Sequence, residues 1–348
     1  MKINTSSDLS NLLQDRFASH CAGPGRSGVT HPGRGRLSAL VLAALLATAC
    51  SSAPEPAAPA EEQKILIGDS DVYPESITST SDGALITGSL KGIVFRAPAG
   101  EKVAWPWIRP NEENGLMAVF GVLAHEPSST LWVCNVPNPF DPPAEPRPTA
   151  LVAFDLESGA WRATYPFPEP TGVCNDIAVA ENGVVYATDT PNGRILTLAP
   201  GETELRVFGA DERLKGIDGV AFDAAGTMYV NIVSRGALVR VDIAPDGTMG
   251  ELTELELSEP ISGPDGLRPI EGNRFLQAEG TGGRVTEVII EGDRANIRVL
   301  KDGLNSVPGV TLVGRTAYAI EGKIGYLVDP ELKGQDPGPF EILAIPLH

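Results

Sequence analysis

A short phrase returns along this chain at intervals of roughly 45 residues: an apolar strand, a Gly-marked turn and a second strand. Its copies read ESITSTSDGALITGSL at 75–90, FGVLAHEPSSTLWVCN at 120–135, NDIAVAENGVVYATDT at 175–190, DGVAFDAAGTMYVNI at 218–232, DGLRPIEGNRFLQAEG at 265–280 and PGVTLVGRTAYAIEG at 308–322. Self-similarity at this period marks a repeat architecture, and all-strand units of this length are blade-sized. The expectation is an all-β fold, a six-bladed β-propeller with four-stranded blades. The first copy supplies all four strands as SITST, ALITGS, GIVFRA and KVAWPWI, separated by turn residues. The segment KILIG near residue 65 is free to pair with FEILAIPL of the last copy, a latch that would close the ring and hide an edge.

The propeller is expected over 65–348, and what precedes it reads differently. Arg34 and Arg36 stand before the apolar run Leu37 to Ala49, which ends in Ala47-Thr48-Ala49-Cys50. That run is too short for a spanning helix of about 20 residues and has the form of an export signal. Its ending is similar to a bacterial lipobox, with Ala47 where Leu is usual. Residues 1–49 are therefore read as leader and Cys50 as the lipidated first residue of the mature chain. The Pro- and Ala-rich stretch to residue 64 is read as a tether. Ser51 resembles the sorting residue of outer-membrane lipoproteins, which places the protein in the cell envelope, on the periplasmic side of that membrane.

The chain carries 27 basic and 45 acidic side chains, a net charge of −18, and −21 once the leader is set aside. Such a surface repels nucleic acid and favours cations. Of the cysteines left after Cys21 and Cys50, Cys134 and Cys174 fall at the same end of neighbouring blades. In an exported protein they can form a disulfide or stay as two buried thiols.

In a propeller the first strand of each blade lines the axis and starts at one mouth. Alignment on Ile77, Val122, Ile177, Val220, Leu267 and Val310 puts Glu75, Phe120, Asn175, Asp218, Asp265 and Pro308 at that mouth. Oxygen donors alone, from separate strands, suit a hard cation, and Ca2+ takes about 6 to 8 of them, water included. Glu75, Asn175, Asp218 and Asp265 are the candidate metal ligands. Asp-Gly at 218 and 265 is also ordinary turn chemistry before a strand, although Glu75 and Asn175 share the register with no Gly after them. Second-strand ends form a wider ring, from which Glu279 is expected to reach the substrate as an open carboxylate. The insert VPNPFDPPAEPRP after the second strand of the second copy would project over the mouth with Phe140 as its apolar tip.

On the phrases PESI at 74, NDIAV at 175, DGVAFD at 218 and PDGL at 264, the chain resembles the senescence-marker-protein, gluconolactonase and luciferin-regenerating-enzyme family. That family belongs to a wider group of calcium propellers that includes diisopropylfluorophosphatase and the paraoxonases. The resemblance covers roughly residues 66–346. It implies a catalytic calcium held by Glu75, Asn175, Asp218 and Asp265, and hydrolysis of a small ester, above all a lactone. It also implies an Asp as base or nucleophile. With His20 and His31 in the leader, His125 toward the opposite face and His348 terminal, the base would be Asp218 or Asp265. Asp218 is the expected base and ligand, with Arg235 or Lys91 at the rim to bind an anionic substrate. Phe120 and Pro308 depart from the polar groups that hydrolases of this kind often carry. No GxSxG, HExxH, paired CxxC or Walker loop is present, and the GxGxxG at Gly23, Gly25 and Gly28 falls in the leader. A non-catalytic envelope propeller that binds a ligand or a protein is the alternative expectation.

Overall fold

In four copies of the repeat the second strand is buried at every position: Leu85–Ser89, Thr130–Val136, Val185–Asp189 and Met228–Ile232. Their sequences show why: both faces are covered by neighbouring sheets, so apolar and small residues run continuously rather than alternating with polar ones. Fourth strands such as Trp161–Pro166 and Arg206–Ala210 are mostly exposed or half-exposed, so burial falls from the inside of each sheet outward. The computed structural model describes residues 63–143, 145, 147–170 and 172–347. The leader and Cys50 lie outside the described residues, as does all but the end of the tether.

The fold is all-β and propeller-like. Three antiparallel four-stranded sheets run in sequence order: Ala118–His125 to Trp161–Pro166, Cys174–Val179 to Arg206–Ala210, and Ile217–Phe222 to Met249–Glu254. A fourth sheet runs from Pro264–Glu271 to Arg294–Lys301 and gains a short parallel strand, Glu256–Leu257. The last sheet has eight strands because Lys64–Ile67 joins two halves. It runs antiparallel to Glu341–Pro346, the latch expected from the sequence, and parallel to Val103–Ile108 on its other edge. First strands touch one another in a closed cycle, from Pro74–Ser79 through Ala118–His125, Cys174–Val179, Ile217–Phe222, Pro264–Glu271 and Gly309–Val313 back to Pro74–Ser79. Apolar cores fill the wedges between adjacent sheets. One of them gathers Tyr186, Ile195, Ile217, Val220 and Val230. No helix among the described residues is long and apolar enough to cross a membrane.

The cycle depends on how closely first strands approach. In four of them the residue after the axial position is glycine: Gly121, Gly219, Gly266 and Gly309. A Cβ on Gly309 would sit 3.0 Å from Ile77 N, and one on Gly266 would sit 3.1 Å from Pro308 O. At Gly121 and Gly219 it would collide with the backbone oxygens of Asn175 and Asp265. Where the residue is not glycine, its side chain bonds to the next strand instead. Val122 N donates to Ser76 Oγ (3.2 Å) and Val220 N to Asp176 Oδ2 (3.1 Å). Asp218-Gly219 and Asp265-Gly266 are thus not turns. Both lie inside first strands, and their glycines admit the neighbouring backbone.

A disulfide joins Cys134, on the second strand of one sheet, to Cys174, on the first strand of the next, with Cα atoms 5.2 Å apart. A cross-link closing a loop of this length stabilises by about 4 kcal/mol in the chain-entropy account.

Gly219→Ala is expected to lower the unfolding free energy by about 1–3 kcal/mol through overpacking. Gly226→Ala, at a turn with open space around it but a φ of +82°, should cost about 1 kcal/mol. Urea unfolding of both variants checks the order.

Candidate functional site

Glu75, Asn175, Asp218 and Asp265 each stand second in a first strand, in Pro74–Ser79, Cys174–Val179, Ile217–Phe222 and Pro264–Glu271 respectively. A register shift follows the start of every one of these strands, so the same β-bulge recurs where the side chains matter. A bulge bends the strand and re-aims the residues beside it. All four are buried, at 8%, 6%, 1% and 5% exposure in that order, which sets them apart from ordinary surface charges. Asn175 Nδ2 donates to Thr190 Oγ1 (3.0 Å), which keeps the amide turned so that Oδ1 remains an acceptor. The Asp218 and Asp265 carbonyls are themselves held, by Thr188 Oγ1 (2.8 Å) and Asn231 Nδ2 (2.6 Å). Phe120, 4% exposed, takes the corresponding place on Ala118–His125.

The ring contains a cation that the sequence reading missed. Arg268 reaches from Pro264–Glu271 to Asp176 on Cys174–Val179, and its two terminal nitrogens meet the two carboxylate oxygens at 2.8 Å each. The same Nη1 donates to Leu267 O (2.8 Å), while Nε has no partner. Burial works to lower the guanidinium pKa, but Asp176, with Asp265 and Glu75 further off, outweighs it, and the pKa lies above its ordinary value. Arg268 is therefore a permanent positive charge within electrostatic reach of two candidate ligands. An Arg inside an otherwise apolar first strand, in DGLRPI, was the available signal. Its partner, 92 residues earlier, was not legible.

The wider ring is built for support. Glu279, expected to touch substrate, is fully buried; its Oε2 accepts from Ser262 N (2.7 Å) and Arg284 Nε (2.8 Å). Asp189 repeats the pattern with Val173 N (3.0 Å) and Arg194 Nε (2.5 Å), and Arg194 goes on to the Pro168 and Pro170 carbonyls. In both sheets an acid and an arginine five residues later staple the preceding loop. Arg235, expected at the rim, is held by Glu254 and by the Arg213 carbonyl (3.0 Å). Phe140 is half-buried and packs on the main core cluster instead of standing as a free tip. The loop that carries it is tied down by Asn138 Nδ2 to Leu90 O (2.9 Å). His125 ends its strand at the opposite side, bonded to Ser128 Oγ (2.7 Å), with its pKa lowered by burial.

Among the described residues, no group of three or more His, Cys, Asp or Glu side chains forms a compact metal cluster. The donor types at the mouth suit a hard cation, but Glu75, Asp218 and Asp265 are spread over separate sheets. An ion there would draw on Asn175 and water as well, within the large and flexible oxygen shell that calcium accepts.

Arg268→Met, which strands a buried Asp176, is expected to cost about 3–5 kcal/mol. Adding Asp176→Asn should recover part of that loss, because the amide oxygen still accepts from Val220 N with no charge left buried. Denaturant unfolding of the single and double variants checks the sign of the recovery.

No protein-family model and no curated protein sequence matches the chain. Solved structures do. A gluconolactonase from Xanthomonas campestris is similar with a TM-score of 0.58 at 14% identity, covering 82% of this chain and 95% of its own. A virginiamycin B lyase from Staphylococcus aureus, solved with quinupristin, gives 0.55 at 13% identity over 83% and 99%. A PQQ-bound aldose sugar dehydrogenase from Streptomyces coelicolor gives 0.55 at 13% over 83% and 99%. Lyase, lactonase and dehydrogenase share this architecture, so the likeness establishes the propeller fold and leaves the chemistry to the residues at the mouth.

Proposed function

We propose that the protein is a six-bladed propeller that hydrolyses a small ester, above all a lactone, at the axial mouth, with calcium as its cofactor. The observation that carries this reading is the shared register of Glu75, Asn175, Asp218 and Asp265, buried at the bulged starts of four first strands. The gluconolactonase among the structural neighbours is consistent with it.

Glu75, Asn175, Asp218 and Asp265 would hold the ion. When bound, calcium supplies a Lewis acid that polarises the substrate carbonyl and stabilises the oxyanion that develops on it. Asp218 takes the proton of the attacking water, the role its buried place in the axial register suits. Asn175, with its amide fixed by Thr190, orients a polar group of the substrate. Phe120 and Pro308 give the mouth an apolar side on which the carbons of a lactone ring can lie. Arg268 offsets part of the repulsion among the carboxylates before any ion or substrate arrives. Export through the leader and anchoring at Cys50 would place this activity in the cell envelope.

A second reading, a binding propeller without turnover, draws on Arg268 and on the spread of the three carboxylates. There the guanidinium itself serves as the axial cation, and the mouth recognises a ligand without cleaving it.

The two readings separate in one experiment on the protein beginning at Ser51, using calorimetry with calcium beside a lactone panel. Hydrolysis that needs calcium and falls by at least about a hundredfold in Asp218→Asn, with calcium affinity lost in Glu75→Gln, is the expected result. Equal rates in chelated and calcium-loaded protein would sink the hydrolase mechanism.

A further inference from the structure

Three of the four axial donors follow a residue whose backbone is restrained by more than the sheet. Glu75 follows Pro74 and Asp265 follows Pro264, where the proline ring fixes φ at about −65°. Asn175 follows Cys174, which has no such ring and is instead cross-linked to Cys134 on the preceding sheet. Asp218 follows Ile217, which is packed in an apolar wedge.

The place of the cross-link matters because of the bulge. Cys174 faces Asp189 and Ile177 faces Ala187, so Asn175 and Asp176 together stand opposite Thr188 alone. A bulged residue has no regular ladder partner, and its direction depends on what holds the chain to either side. On the far side the chain is held by Asp176 N, which donates to Thr188 Oγ1 (2.9 Å). On the near side it is held by Val173 N, which donates to Asp189 Oδ1 (3.0 Å), and by the sulfur bridge at Cys174 itself. The other end of the bridge is firm. Cys134 lies in a strand buried throughout, and beside it Asn135 Oδ1 accepts from Met117 N (2.8 Å) while Nδ2 donates to Gly115 O (3.1 Å). The preceding first strand presses on the same spot, since Gly121 has no room for a side chain beside the Asn175 carbonyl.

We propose that Cys134 and Cys174 are positioning residues for the mouth: their disulfide sets the direction of the Asn175 side chain, and the mouth binds its cation fully only once the bond has formed. The assignment rests on calcium being the ion of the mouth. Both cysteines are 0% exposed, so in the closed ring neither sulfur is open to a thiol or an oxidant. The bond therefore forms before the wedge around it closes. One cysteine thiolate attacks an external disulfide and forms a mixed disulfide with it. The second cysteine then displaces the remaining sulfur, and the external disulfide leaves as two thiols that carry the two electrons and two protons. A chain folded where thiols stay reduced keeps its sheets and has a loosened Asn175.

Calcium calorimetry and amide hydrogen exchange test the assignment. Cys134→Ala with Cys174→Ala should weaken calcium binding about tenfold, as should Asn175→Ala, and the three changes together should weaken it no further, because both act through one donor. Wild-type chain refolded with dithiothreitol present should match the cysteine variant. Val288→Ala, in a wedge lined by the third strand of the fifth copy, lowers global stability but should leave calcium affinity unchanged. Without calcium, and with global stability matched by urea, the Val173 and Asp176 amides should exchange faster in the cysteine variant than in Val288→Ala. Additive losses overturn the proposal, and so does a loss of affinity in Val288→Ala as large as that in the cysteine variant. A wild-type chain that binds no calcium overturns the calcium reading and the link to a cation. The exchange comparison then decides the positioning separately: selective loosening of Val173 and Asp176 upholds it, and equal exchange in the two variants overturns it.

Discussion

The ring depends on the close approach of the backbones of neighbouring first strands, one residue past the axial position. Gly121, Gly219, Gly266 and Gly309 allow it by having no side chain, and Ser76 and Asp176 replace it with a hydrogen bond to the next strand. Either solution fixes the spacing around the axis, and the spacing fixes which residues face one another across it. The apolar wedges between sheets supply most of the driving force for burial, but they tolerate changes of shape that a backbone contact does not. Position around the ring is therefore set by a handful of small residues, and stability by many large ones.

The same position explains how charge is carried into the interior. Asp176 has two tasks, accepting from Val220 N to space two strands and holding both terminal nitrogens of Arg268. A buried carboxylate is tolerated when its lone pairs are filled in this way, and a buried guanidinium when its hydrogens point at a carboxylate. The pair ties the third copy of the repeat to the fifth across the axis. The electrostatic character of the mouth is then a balance between acids in the axial register and a cation held just beyond them.

Much of this architecture was legible in the residues. The period of the repeat set the fold class, the apolar runs between Gly-marked turns set the strands, and the pairing of KILIG with the last strand followed from one unpaired edge. The axial register was legible because it repeats with the period. What depended on contacts between distant copies was not. The glycines after Asp218 and Asp265 read as turn residues, since nothing local shows that another strand passes there. Glu279 read as an open carboxylate, although an arginine five residues on, matched by Asp189 and Arg194, was a visible sign that it is stapled. Arg268 stood out as a charge in an apolar strand, but its partner could be found only in three dimensions.

The strand Lys64–Ile67 lies between Glu341–Pro346 and Val103–Ile108, and the ion pair Lys64–Glu341 spans 277 positions of the chain. During synthesis the segment that completes this seam is among the first of the described residues to appear, and its partner is among the last. Until both are present the nascent sheets keep two open edges, and a contact so distant in sequence is slow to form. Completion of the circle is thus a check on the whole domain. A chain interrupted anywhere before residue 341 would expose those edges together and be recognisable to quality control as unfinished, however well its earlier sheets had formed.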